Sequence, residues 1–259
     1  MILITGLDGS GKSTILNRLE TDLENQISVL RVPTIEAEKF KDNTLLYRQC
    51  VCINRLGERA DKEGIPSLKI VAMFGAMLLF NEMHSELKKK GTIILCERHP
   101  LIDTTVYAKV YLKVMHPKHL DLHLGKEIEI KFSEEMKGIL DLIKEPINRS
   151  DKGILYDVLG FLFDWFSVKE NHSKEQLNTL FNIELPSFIY FLDAPSHILI
   201  QRLSKRGLSE YHETEKLLGM MRPEYLHMFS EQETSYKLIN TSHLSKLDGI
   251  LEELKSKLY

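Results

Sequence analysis

Short apolar runs bounded by polar or turn-forming residues recur at 2–5, 27–32, 92–96, 188–192 and 236–239. Each is nearly continuous in Ile, Leu, Val or aromatic residues, the pattern of a strand buried on both faces. Between them, apolar positions return at helical spacing over about 11–24, 43–60, 68–90, 101–114, 195–206, 213–231 and 243–258. Strands alternating with helices predict an α/β fold of three layers, a five-stranded parallel sheet with helices on both faces.

The interval 113–186 breaks that rhythm, with charged stretches, prolines and one long apolar run over 154–166. It reads as a helical insertion within a single domain spanning 1–259. Its aromatic cluster, Phe161, Phe163, Trp165 and Phe166, is read as the insertion's own core, with a cover over a bound acceptor or a homodimer face as alternatives. No internal repeat or low-complexity segment interrupts the chain.

Composition narrows the function classes. With 43% hydrophobic and 27% charged residues, the 259-residue chain is neither disordered nor fibrous and can bury one sizeable core. Lys and Arg number 34 against 37 Asp and Glu, a net charge of −3. Such a chain has no global field for polymeric nucleic acid or an acidic membrane, so any anion site must be local. Cys50, Cys52 and Cys96 are too few and too odd for a disulfide framework, which points to a reducing compartment, the cytoplasm. The N-terminal apolar run is too short for a signal peptide, and no run approaches the ~18 residues of a membrane span.

The local anion site is legible in Gly6-Leu7-Asp8-Gly9-Ser10-Gly11-Lys12-Ser13-Thr14, which fits G-x-x-x-x-G-K-[ST] between a predicted strand and a predicted helix. Glycines let the backbone curl so that successive N–H groups converge on phosphate oxygens, and the helix N-terminus adds its partial positive charge. Gly6, Asp8, Gly9, Ser10, Gly11, Lys12, Ser13 and Thr14 are therefore the expected ATP-binding set. Lys12 reaches the β- and γ-phosphates, and Ser13 offers its hydroxyl to Mg²⁺. Asp8 is unusual in a phosphate cradle, because a carboxylate beside polyphosphate is repelled unless it faces another partner such as a sugar hydroxyl.

In this respect the loop resembles that of the thymidylate kinase family, which commonly reads G-x-D-G-x-G-K-[ST]. Further segments fall in the matching order: Arg31-Val32-Pro33 after the second strand, Glu97-Arg98-His99 after the third, and Phe191-Leu192-Asp193-Ala194-Pro195, leading to Arg202 and Arg206. The resemblance implies transfer of the γ-phosphoryl of Mg-ATP to a nucleoside monophosphate, dTMP in that family, with Asp8 at the acceptor sugar. Glu97-Arg98, followed by Asp103 and Tyr107-Ala108-Lys109, is also similar to the deoxynucleoside kinases, in which the acid matching Asp103 faces the base. Asp103 reads equally as a first-turn acid favoured by the helix dipole. The chain departs from both families. It lacks a basic residue soon after Pro33 and an Arg in Met73-Phe74-Gly75-Ala76-Met77, and it has Val32 where the deoxynucleoside kinases carry Glu.

Lys12, Glu97, Arg98, Arg202 and Arg206 are the expected catalytic residues. Arg98 would grip acceptor or transferring oxygens, and Glu97 would serve the metal with Ser13 or accept a hydroxyl proton. Arg202 and Arg206 would ride on a lid over about 202–215 and carry charge onto the triphosphate. Acceptor contacts are expected from Asp8, Arg48, Phe74, Arg98 and Asp103, with Arg48, Arg55 and Arg59 sharing one helical face. The same arginines also read as a solvated stripe, and Phe74 as core. Residues 240–243 would border the adenine. His116, His119, His123 and Asp121 match no standard zinc spacing. Phosphorylation of a nucleoside 5′-hydroxyl, or a regulatory protein that binds nucleotide without transfer, are the alternatives to a monophosphate kinase.

Overall fold

In a computed structural model, described over residues 1–143, 145–167, 174–205, 213–231, 234–243 and 247–258, all five predicted strands are present and parallel. They are β1 (Ile2–Gly6), β2 (Ile27–Leu30), β3 (Ile93–Cys96), β4 (Phe188–Asp193) and β5 (Tyr236–Asn240), in the order β2-β3-β1-β4-β5. Register pairs Gly6 with Leu192 and Leu3 with Cys96, so every strand presents its carboxyl end at one edge. Open parallel sheets bind ligands at that edge. The central β1 delivers the glycine loop there.

The chain packs as two compact units where the sequence suggested one core with an insertion. The first, 1–31, 84–102 and 185–259, holds the whole sheet. On one sheet face Ile4, Tyr190 and Leu192 meet Ile15, Leu16 and Leu19 of α1 (Lys12–Asp22) and Leu251 and Leu254 of α12 (Leu247–Leu258). Phe191 points to the opposite face, as the two-residue period of a strand requires. There its ring lies 5.1 Å from Tyr225 and 5.3 Å from Phe229 of α11 (Glu215–Glu231). Helices thus cover both faces of the sheet, as expected for this α/β class. β5 differs from its expected burial: it is an edge strand, Tyr236 and Leu238 are exposed, and only Ile239 is buried.

The second unit, 32–83 and 103–184, is helical. It contains α2 (Thr44–Glu63), α3 (Pro66–Leu78), most of α5 (Pro100–Met115), α6 (Leu122–Lys131), α7 (Ser133–Leu140), α8 (Ile154–Ser167) and α9 (Lys174–Phe181). The single helix expected over 68–90 is two, α3 and α4 (Phe80–Lys88), parted at Leu79, whose N–H is shared between the Gly75 and Met77 carbonyls. The interval 113–186, read as a helical insertion, holds α6 to α9, of which α7 packs on α2 and α8 on α3. The aromatic cluster is not the core of α8, which is Leu155, Val158, Leu159 and Leu162, with Phe161, Phe163, Trp165 and Phe166 only half-buried.

Cys50 and Cys52 lie buried in α2, and burial pushes both thiols up to about 12. Cys96 is fully buried at the end of β3 and donates to the Ile2 carbonyl. A thiol with so high a pKa holds on the order of 10⁻⁴ thiolate at pH 8 and is unreactive. Native protein treated with iodoacetamide at pH 8 should therefore stay unlabelled by mass spectrometry at all three sites, and label at all three once unfolded. Native labelling at the unfolded rate would contradict that burial. Among the described residues no helix is long and apolar enough to cross a membrane.

Candidate active site

The loop between β1 and α1 is shaped by its glycines. Gly6 has φ +151°, and a Cβ there would lie 2.3 Å from the Leu192 carbonyl oxygen of the neighbouring strand, so only glycine lets β1 pair so closely before the chain turns. Gly11 caps α1 in the left-handed region, with no side-chain cap bond and nothing within 4 Å of where a Cβ would stand. The first turn of α1 carries no acid, and its N-terminal N–H groups lack the usual side-chain cap. An anion is what such a helix end accepts.

Two clusters of side chains flank that helix end, both within the sheet unit. In the first, Lys12 Nζ donates to the Gly6 and Leu7 carbonyls at 2.9 and 3.0 Å and to Asp8 Oδ1 at 3.3 Å. Arg98 Nη2 donates to the same Asp8 oxygen at 2.6 Å. Lys12 and Arg98 are buried, so their charges act in a medium that screens them little. In the second, Ser13 Oγ donates to Glu97 Oε1 at 2.9 Å, and Arg31 Nε stands 4.0 Å from Glu97 Oε2. Glu97 and Arg98 are adjacent just past β3, so one turn of backbone feeds both clusters. Glu97 N–H donates to the Leu30 carbonyl and fixes that turn to the end of β2.

The donor set fits Mg²⁺. A hydroxyl and a carboxylate oxygen in contact are the hard ligands this ion takes, and it draws the rest from phosphates and water. Ser10 is fully buried in the loop, with its hydroxyl unbonded among the described residues, and Thr14 is exposed in the first turn of α1.

Arg202 differs from its expected use as a lid cation. From the last turn of α10 (Ser196–Ser204) it donates to three backbone carbonyls, Gly9 at 3.2 Å, Thr241 at 2.7 Å and Ser242 at 3.2 Å. Burial pulls its guanidinium below the usual value. It is a brace between the glycine loop and the segment after β5, whose Thr241 N–H is held by the Asp193 carbonyl. Arg206 and the rest of 206–212, the centre of the expected lid, lie outside the described residues. The sequence reading passed over Arg222, which clasps Asp193 at the end of β4 through Nε at 2.9 Å and Nη2 at 2.6 Å. That hydrogen bonding holds the Arg222 guanidinium above its usual value. The 29-residue separation of this pair leaves no signal in the chain.

The remaining acceptor candidates belong to the helical unit. Arg48 is held by Glu134 and Glu135 of α7, at 2.9 Å each. Arg59 is held by Glu127 of α6 and by Glu63, and Arg55 stands 6.0 Å over the Phe132 ring. Arg48 and Arg59 thus pair with acids of α7 and α6 at the surface, and Arg48 and Arg55 are exposed, as a solvated basic stripe would be. The acids run antiparallel to the arginines, Arg48 meeting 134–135 and Arg59 meeting 127, a complementarity present in the sequence. Phe74 is buried, with its ring 6.2 Å from Phe161 and 6.0 Å from Phe181, a core position. Asp103 is fully buried in the first turn of α5. Asp121 caps α6 by accepting from the His123 and Leu124 N–H groups.

Compared with solved structures, the chain matches a deoxyadenosine kinase from M. mycoides with bound dATP at a TM-score of 0.52 and 15% identity, over 98% of each chain. The fold is shared with a nucleoside kinase. A second structure of deoxyadenosine kinase from M. mycoides, with the products dCMP and dCDP, aligns over 99% of this chain at 16% identity and a TM-score of 0.48. No protein-family model matches the chain, and no curated protein matches it in sequence. The three-layer α/β fold with a five-stranded parallel sheet expected from the sequence is thereby shown, and it is similar to that of a deoxyadenosine kinase.

Proposed function

We propose that this protein is a deoxynucleoside kinase, transferring the γ-phosphoryl of ATP to the 5′-hydroxyl of a deoxynucleoside in the cytoplasm. One arrangement carries the reading: Glu97 and Arg98, at the end of β3, reach Ser13 and Asp8 of the glycine loop in one turn of chain. The pair joins a metal carboxylate to a transition-state cation beside the phosphate cradle. A neutral acceptor is favoured because Arg48 and Arg59, two of the three α2 arginines a monophosphate would call on, are already paired with Glu134, Glu135 and Glu127. Likeness of fold to a deoxyadenosine kinase supports the same choice.

The loop N–H groups and Lys12 hold the β- and γ-phosphates, whose oxygens take over the Lys12 donors now given to Gly6 and Leu7. Ser13 and Glu97 hold Mg²⁺, which when bound neutralises phosphate charge. Arg98 turns its planar fork from Asp8 to the transferring oxygens, and Asp8 meets the acceptor's hydroxyl. The enzyme's work is positioning and charge stabilisation. Arg202 keeps loop and 241–242 segment at a fixed separation.

Coupled ADP release with Mg-ATP against deoxynucleosides and their monophosphates tests the reading. Turnover on at least one deoxynucleoside, with none on the monophosphates, is the expected result. Asp8, the feature of the loop that resembles thymidylate kinases, favours a second reading, a monophosphate acceptor, which turnover on dTMP alone would select. ATP binding with no transfer to any of the panel would leave a nucleotide-binding regulator.

A further inference from the structure

Ser13, Asn17 and Glu20 are spaced i, i+4 and i+7 along α1 and share one face of the helix. Two side chains from strand ends lie along that face. Glu97 accepts from Ser13 at 2.9 Å, and Arg31, the residue after β2, donates through Nη2 to Asn17 Oδ1 at 2.8 Å and to Glu20 Oε2 at 2.9 Å. The Nε edge of the same guanidinium stands 4.0 Å from Glu97 Oε2. Arg31 and Glu97 side chains are each only 14% exposed, so neither is free to swing through solvent.

We propose that Arg31 is a positioning residue for the metal carboxylate: anchored to α1 through Asn17 and Glu20, it holds Glu97 with Oε1 toward Ser13. The inference rests on the reading above that Ser13 and Glu97 hold the metal. Its physical basis is the division of the Glu97 carboxylate, one oxygen toward the Ser13 hydroxyl and the other toward a guanidinium whose charge is already balanced by Glu20. Because Glu20 balances that charge, Arg31 acts on Glu97 by orientation more than by net field. A planar fork suits it to this, since two edges serve two helix residues and the carboxylate at once.

The test is Mn²⁺ binding to the ATP complex, followed by electron paramagnetic resonance, which needs no acceptor and no turnover. Arg31→Gln is expected to weaken Mn²⁺ binding about tenfold, the size of loss typical of an outer-shell partner. ATP affinity without metal should stay unchanged. Arg31→Lys should recover only part of the loss, because an ammonium replaces the charge and not the fork. Glu20→Gln, which loosens the anchor with Arg31 in place, should shift binding in the same direction and keeps the test informative if Arg31→Gln folds poorly. Arg18→Gln, which breaks an exposed pair between α1 and Asp248 of α12, should leave Mn²⁺ binding at the wild-type value. Wild-type metal affinity in Arg31→Gln, or an equal loss of metal-free ATP binding, would overturn the proposal. Wild-type protein that binds Mn-ATP yet phosphorylates no nucleoside or nucleotide would sink the kinase reading and leave the Arg31 result standing on its own titration.

Discussion

Lys12→Ala lowers kcat/KM for phosphoryl transfer by about 10³-fold, the upper range for removing one preorganised electrostatic donor. Lys12 is the buried cation of the glycine loop, and its three hydrogen bonds end on Gly6, Leu7 and Asp8, all within that loop. Among the described residues the side chain therefore bonds only within the loop and braces no distant element. Asp8 keeps Arg98 at 2.6 Å in its absence, so the loop retains a cation and its turn. Coupled ADP release on the best deoxynucleoside measures the loss, and near-ultraviolet circular dichroism checks that packing survives. A variant that keeps more than a tenth of wild-type turnover would remove Lys12 from the mechanism.

The second large effect is on stability. Gly6→Ala places a methyl group 2.3 Å from the Leu192 carbonyl oxygen, a backbone atom held in the β1–β4 ladder, at a φ of +151° that L residues rarely adopt. Neither neighbour can yield without breaking strand pairing at the centre of the sheet. The expected cost exceeds ~4 kcal/mol, a large share of the ~5–15 kcal/mol that stabilises an ordinary domain. Gly11→Ala makes the contrast: its φ is also positive, yet nothing lies within 4 Å of the added carbon, so the strain is only about 1–2 kcal/mol. Urea midpoints of the two variants compare them directly. A Gly6→Ala midpoint equal to that of Gly11→Ala would show that the ladder yields, contrary to the argument.

Fold and cradle were legible because both are local in the chain. Continuous apolar runs mark buried strands wherever they occur, and the nine residues from Gly6 to Thr14 carry their chemistry in their own backbone. Glu97 and Arg98 were legible for a related reason: they stand next to a strand end, and a parallel sheet sends all such ends to one edge. Arg202 was readable as a functional cation but not in its use, since its acceptors are carbonyls at 9, 241 and 242, brought to it only by folding.

What the sequence by itself determined is the class of the molecule: a parallel α/β sheet, a glycine loop at its centre, and an acid and an arginine beside it. The tertiary structure decided which charges remain for chemistry. Arg48 and Arg59 of α2 looked available on a helical wheel, and acids 68 to 87 residues away pair with them. Arg31 looked like the end of a strand, and folding made it the neighbour of Glu97, 66 positions further along the chain. The physical reason is that helical and strand periods report which face a residue occupies, whereas a charge is fixed by the opposite charge that packing brings within about 4 Å, and that distance is not written in sequence separation.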